Sequence, residues 1–223
     1  RPIYYKYQNK KFLYSSEIKS IVAFEGIAPK TSLMSIASTS LFWSNIKNMT
    51  SFKDIFQIPP GNYLIFSNGK LEIKKYWNNP ISQNIKKDEI DKKFKYEKLF
   101  SLIKDAVKRQ IHGEVGFSSY LSGGIDSSII AYLLTQIQKS PIDTFSVEFE
   151  NKEYDESAAQ QNIKKVINSN HFSLRISNKD IAENFEKVIN HSECHLFRTA
   201  PVPMFLLSKY VKDMGHKVVF TGE

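Results

Sequence analysis

A seven-residue string, Ser122-Gly123-Gly124-Ile125-Asp126-Ser127-Ser128, stands between a mostly apolar run over 115–121 and a stretch with helical spacing over 126–138. Two adjacent glycines let a backbone turn sharply and let a ligand approach with no Cβ in the way. A helix that opens straight out of such a turn points unpaired N–H groups and its positive dipole end into it, which favours phosphate. Ser122, Ser127 and Ser128 add hydroxyl donors. Asp126 would repel a bare phosphate, so a carboxylate here makes sense as a ligand to a Mg²⁺ that bridges it to the phosphates. Ser-Gly-Gly by itself is more often a plain turn, with Asp126 and Ser127 merely capping a helix; the whole string in a strand-turn-helix setting favours the ligand-binding reading. The phosphate loop GxxxxGK[ST] is absent, because Lys70 after Gly69 has no glycine five residues before Gly69, and GxGxxG is absent too. Kinase, GTPase and glycine-fingerprint dehydrogenase chemistry are therefore disfavoured.

The text around this string divides in two. Over 1–77, Pro2–Tyr5 and Phe12–Tyr14 flank the polar turn Gln8-Asn9-Lys10, and Tyr63–Phe66 and Leu71–Ile73 flank Ser67-Asn68-Gly69, two hairpin signals. A short helix is expected over 16–22, and Pro59-Pro60-Gly61 punctuates the entry to the second hairpin. Residues 78–95 are polar and charged and read as a linker. From 96 onward helices and strands alternate: helix 96–111, strand 115–121, helix 126–138, strand 142–149, helix 156–168 behind Asp155, strand 171–176, helices 180–190 and 202–214, strand 217–220. Such alternation predicts an α/β fold, a parallel sheet with flanking helices and a ligand at the carboxyl ends of its strands.

Composition narrows the classes further. With 41% hydrophobic and 24% charged residues in 223, the chain reads as globular. Cys194 is the single cysteine and no Cys/His cluster has zinc spacing, which excludes a disulfide scaffold and a structural zinc site and suggests a reducing compartment. No apolar run reaches the roughly 18 residues a membrane span needs, so no membrane partner is expected and the expected location is the cytoplasm. The net charge of +8 suits a polyanionic ligand. Its lysine pairs, however, lie scattered in polar surroundings, and a solvated surface is favoured over a nucleic-acid face. Because the sequence starts at Arg1 and stops at Glu223 directly after a strand-like KVVF, a piece of a longer protein is expected.

At SGGIDSS the sequence resembles the ATP pyrophosphatase (PP-loop) superfamily, and over nearly its whole length it is similar to the glutamine-dependent asparagine synthetases. RPIYY and SSEIKSI resemble the end of their Ntn-type glutaminase domain, and TSFKDIFQIPPGNYLIFSNGKLEIKKYW its closing strands. SGGIDSS, TFSVEF, YDES, HSECHLFRTAPVPMFLLSKYV and KVVFTGE follow in the order of the synthetase domain. The resemblance implies that 1–77 is the carboxyl-terminal portion of a glutaminase and 96–223 the amino-terminal portion of a synthetase. It implies a ligase that converts ATP to AMP and pyrophosphate. Aspartate is activated as β-aspartyl-AMP, and ammonia derived from glutamine then displaces AMP to give asparagine. ATP and Mg²⁺ are the implied cofactors, aspartate and glutamine or ammonia the partners, and a homodimer the expected assembly.

Carried over residue by residue, Leu121 and Val147 would meet adenosine, and Ser122, Gly123, Gly124, Asp126, Ser127 and Gly222 would form the ATP and pyrophosphate site, with Asp126 the metal ligand. Glu193 matches the family's acid/base glutamate; attacking ammonia must shed a proton, which a carboxylate there could take. A surface glutamate after a helix end is the plainer reading of the same residue. His195 and Leu196 stand where relatives commonly have Pro and, in some, a metal-binding aspartate, so a second metal ligand is not supplied, and His195 and Cys194 read as loop residues. A transfer-RNA-modifying PP-loop enzyme, a β-lactam-type or other amide synthetase, and a non-catalytic nucleotide-binding fragment are the alternatives.

Overall fold

The computed structural model describes residues 2–26, 28–79, 92–150, 160, 163–164 and 166–222. They fall into two compact units, one made of Arg1–Ile85 with Glu186–Arg198, the other of Lys86–Phe185 with Thr199–Glu223.

In the first unit, β1 (Tyr4–Gln8) and β2 (Lys11–Ser15) pair antiparallel, and β3 (Phe56–Gln57) adds on the other side of β1. Gln8 pairs with Lys11, so the connection is a two-residue turn, and both its residues, Asn9 and Lys10, have positive φ (51° and 61°). This is the turn whose twist matches that of the strands it joins. The same device closes β4 (Asn62–Ser67) on β5 (Lys70–Lys75), with Asn68 and Gly69 at φ 50° and 72°. The rings of Phe12 and Phe66 stack at 4.5 Å and tie the two hairpins together. Helix α1 (Ile18–Glu25) buries Ile18 and Ile21 against Ile55, with Tyr4, Leu13, Val22 and Phe52 around them.

Helix α2 (Leu33–Phe42) was not foreseen, and it is inverted. Ser35, Ser38 and Thr39 are buried, while Leu33, Met34, Leu41 and Phe42 are exposed. Its buried hydroxyls are satisfied locally: Ser38 donates to the carbonyl of Ser44 at 2.8 Å and Thr39 to that of Ser35 at 2.7 Å.

The second unit is an α/β layer. Its sheet, β6 (Phe117–Tyr120), β7 (Ile142–Phe149), β8 (Ser169–Ile176) and β9 (Val218–Phe220), runs in the order β8-β7-β6-β9 with every neighbouring pair parallel. Helices α3 (Lys92–Gln110) and α4 (Ile125–Gln138) pack Val107, Leu133 and Leu134 with Ile142 on one face. On the other, α6 (Pro201–Asp213) packs Leu207 and Val211 on Phe145, which is fully buried. The boundary between the units falls inside α5 (Asn178–Ser192), whose start is fixed by a reciprocal cap in which Ser177 N–H donates to Asp180 at 2.9 Å and Asp180 N–H to Ser177 Oγ at 3.2 Å.

Several boundaries shift from those expected. Helix α3 begins at Lys92, inside the stretch read as linker; 80–91 lie outside the described residues. The strand expected from 115 begins at Phe117, and Val115 is exposed between Gly113, at φ 135°, and Gly116. Asp155 and the YDES segment lie outside the described residues, and of helix 156–168 only Gln160, Ile163 and Lys164 are described as helical. Among the described residues no helix is long and apolar enough to cross a membrane.

Candidate nucleotide site

Strand order reverses at β6: β7 and β8 lie on one side of it and β9 on the other. In open parallel sheets the crevice at such a reversal, beyond the carboxyl ends of the strands, is where ligands bind. Here the two segments leaving those ends are Leu121–Gly124 after β6 and Thr221-Gly222 after β9.

Leu121 ends the buried part of the first segment, fully covered, with its N–H donating to Phe145 O at 2.8 Å. The chain then turns through Gly123 at φ 85°, a left-handed conformation that glycine adopts without strain. Gly124 is the N-cap of α4 and makes no side-chain cap bond, so no capping oxygen from this position occupies the N–H groups of the first turn. The turn is braced from within by serines. Ser127 Oγ, buried, accepts the Ser122 N–H at 3.2 Å, lies 2.9 Å from Ser122 Oγ and donates to Gly124 O at 3.2 Å. Ser122 Oγ in turn accepts the Gly124 N–H at 3.3 Å, and Ser128 donates to Gly124 O.

Gly222 rests directly on this first turn. A Cβ built on it would lie 2.8 Å from the carbonyl carbon of Asp126 and from Ser127 Cα, and closer still to Ser127 N, distances no real Cβ tolerates. The close approach of backbone to backbone at the switch point is thus possible only with glycine. Asp126 is exposed in the first turn of α4. Among the described residues no group of three or more His, Cys, Asp or Glu could enclose a metal ion. Asp126 offers one exposed carboxylate beside the turn, and Mg²⁺ commonly takes one or two carboxylates together with phosphate oxygens and water. Val147, in β7, is partly buried, and its carbonyl accepts from Gln160 Nε2 at 3.3 Å, a buried side chain that sequence reasoning did not single out.

The structure thus brings together Ser122, Gly123, Gly124, Asp126, Ser127 and Gly222, with Leu121 at the base of the turn. Glu193 belongs to the first unit. It follows the last residue of α5 in a left-handed conformation, φ 52°, and its N–H donates to Ile189 O at 3.0 Å. Its carboxylate, only 10% exposed, accepts the N–H of Ile18 at 2.7 Å and that of Lys19 at 2.6 Å. These bonds tie Glu193 to α1, and 186–198 packs with the first unit although the sequence places it in the later stretch. Burial first, and then the charges of Glu193 and Cys194, push the Tyr4 phenol above its ordinary value. Cys194 is partly buried, and the partly buried His195 holds its Nε2 out of water with no hydrogen-bond partner among the described residues.

Residues 98–223 match the family model described as asparagine synthase, and residues 1–77 that of the glutamine amidotransferase domain. The chain is 29% identical to the amidase chyE of Penicillium rubens, over 100% of this chain and 35% of that protein. It is 29% identical to glutamine-hydrolyzing asparagine synthetase 3 of Bacillus subtilis, over 85% of this chain and 33% of that one. A putative asparagine synthetase 2 of Methanocaldococcus jannaschii is 30% identical over 84% of this chain and 36% of its own length. The chain spans about a third of the length of these curated relatives. With more than half of its residues, 98–223, matched by one family model over the parallel sheet and its serine-braced turn, the chain belongs to the asparagine synthase family.

Proposed function

We propose that this chain carries the nucleotide-binding part of an ATP-dependent amide synthetase that activates aspartate as β-aspartyl-AMP, releases pyrophosphate, and then forms asparagine with ammonia derived from glutamine. The observation that carries the reading is the seat of Gly222 on the first turn of α4. It joins the two loops of a sheet switch point into one floor at the start of α4. Such a floor suits a pyrophosphate, a broad anion that must be held while the bond at the α-phosphate breaks.

In this reading Ser122, Gly123, Gly124 and Ser127 cradle the pyrophosphate, and Leu121 and Val147 flank the adenosine. Asp126 is the residue that would hold Mg²⁺, which when bound offsets the negative charge that collects on the leaving pyrophosphate. Gly222 lets the cradle close. Glu193 takes the proton that ammonia sheds as the amide forms.

Incubating the protein with ATP, Mg²⁺, aspartate and ammonium and separating the nucleotides tests this. AMP and pyrophosphate are expected; accumulation of ADP overturns it. A second reading is an amide synthetase of the same family acting on a different carboxylic acid, since a relative matched over the whole chain is named an amidase and not an asparagine synthetase. Pyrophosphate exchange into ATP that depends on another acid and not on aspartate would select it.

A further inference from the structure

Strands β6 and β7 run side by side only as far as Leu121, whose N–H donates to Phe145 O at 2.8 Å. Successive residues of a strand turn their backbone groups to opposite neighbours. Phe145 therefore faces β6, Ser146 faces β8, and Val147 faces the β6 side again. By then β6 has ended, and its chain has turned away through Gly123. The Val147 carbonyl thus looks out past the end of β6, beside the turn that opens α4. The group that reaches it is the side chain of Gln160, whose Nε2 donates to it at 3.3 Å.

Gln160 is 3% exposed. Glutamine is seldom so deeply buried, and a buried amide costs free energy unless its polar atoms are bonded. Its place is set by Ile163, three residues on and so on the same side of a helix, which packs with Ile167 on Leu121 and Ala131. The segment that presents an amide to Val147 therefore rests on Leu121, the residue at the base of the turn.

We infer that Gln160 is a positioning residue for base selection: it holds the Val147 carbonyl as an acceptor at the nucleotide site, so that a purine with an amino group at position 6 is preferred over one with an oxygen there. In the function proposed above, on which this rests, Val147 flanks the adenosine. A carbonyl has two lone pairs. Gln160 takes one and so fixes the direction of the peptide, leaving the other for a donor on the base. An amino group at position 6 can donate to it, whereas a 6-oxo group sets acceptor against acceptor.

Binding of ATP and of inosine triphosphate, whose base carries oxygen in place of that amino group, tests this by calorimetry on the full chain with Mg²⁺. The parent protein should bind ATP more than about tenfold tighter than inosine triphosphate. Gln160→Met, which keeps the side chain's length and loses the donor, should cut that preference about 2- to 10-fold by weakening ATP alone, the equivalent of one modest hydrogen bond. Gln160→Glu, which keeps the shape but turns an acceptor toward the carbonyl, should cut it at least as far. If Gln160 serves folding alone, both nucleotides weaken by the same factor and the preference stands; that result overturns the role in base selection, and so does a parent protein that binds the two equally. A parent protein that binds neither nucleotide sinks the proposed function as well. ATP binding with an unmoved preference in both variants spares that function and removes only the part given to Gln160.

Discussion

Gly222 and Ser127 touch backbone to backbone, so closely that no side chain fits between the end of β9 and the first turn of α4. The two residues come from opposite sides of the point where strand order reverses, and their contact turns two separate loops into one surface.

Gly222→Ala should force those segments apart. Overpacking of this kind typically costs about 1–3 kcal/mol, and here the added methyl meets main chain, which cannot rotate away. A lowered thermal midpoint together with loss of ATP binding, measured by calorimetry with and without nucleotide, is expected. A variant that binds ATP as the parent does would show that the floor can open without harm.

Ser127→Ala removes the oxygen to which Ser122 N–H donates and with it the bond to Gly124 O. Ser127 is buried, and each internal hydrogen bond lost there typically costs about 0.5–1.5 kcal/mol. Chemical denaturation should show that loss, whereas Ser128→Ala, whose hydroxyl bonds only within the helix start, should cost less. Equal costs would mean that the brace does not depend on Ser127.

Asp126→Asn should leave the unfolding midpoint nearly where it was, because the side chain is exposed at the mouth of the sheet. Turnover with ATP and Mg²⁺ should fall on the order of 100-fold, the usual scale for losing one electrostatic group at a reacting phosphate. Titrating Mg²⁺ in both proteins checks the assignment: an unchanged Mg²⁺ dependence would return Asp126 to the role of a first-turn acidic residue.

His171 should make the second unit sensitive to acid. Its ring lies between Thr144 Oγ1, 2.9 Å from Nδ1, and Ser146 Oγ, 3.0 Å from Nε2. Burial, followed by the charge of Lys164, holds its pKa below the ordinary value of 6.5, with Glu148 opposing. The unfolded chain therefore takes up a proton near pH 6.5 that the folded chain still refuses. The contribution of His171 is complete above that pH and is lost progressively as pH falls from about 6.5 toward the folded-state pKa. Urea midpoints at pH 7.5 and pH 5 should differ more for the parent than for His171→Gln; equal differences would discount the residue.

The chemistry-bearing turn was legible from sequence because everything it needs is local: an apolar strand, two glycines, serines at spacings that reach back across one turn, and a helix start. The second hairpin was legible for the same reason, Asn68-Gly69 being residues that accept positive φ. Strand β7 and helix α4 followed from periodicity, since their apolar residues face a core on fixed repeats. Helix α2 was not legible, because Ser35, Ser38 and Thr39 go inward and Leu33, Leu41 and Phe42 outward, the reverse of the pattern that betrays a surface helix. Only the tertiary structure decided that Gly222 meets Ser127, since strand order is a property of the sheet and not of any segment in it. It likewise decided that Glu193 closes α1 across 175 residues, because nothing in the sequence near Ile18 announces a missing cap and nothing near Glu193 says which N–H groups it will find.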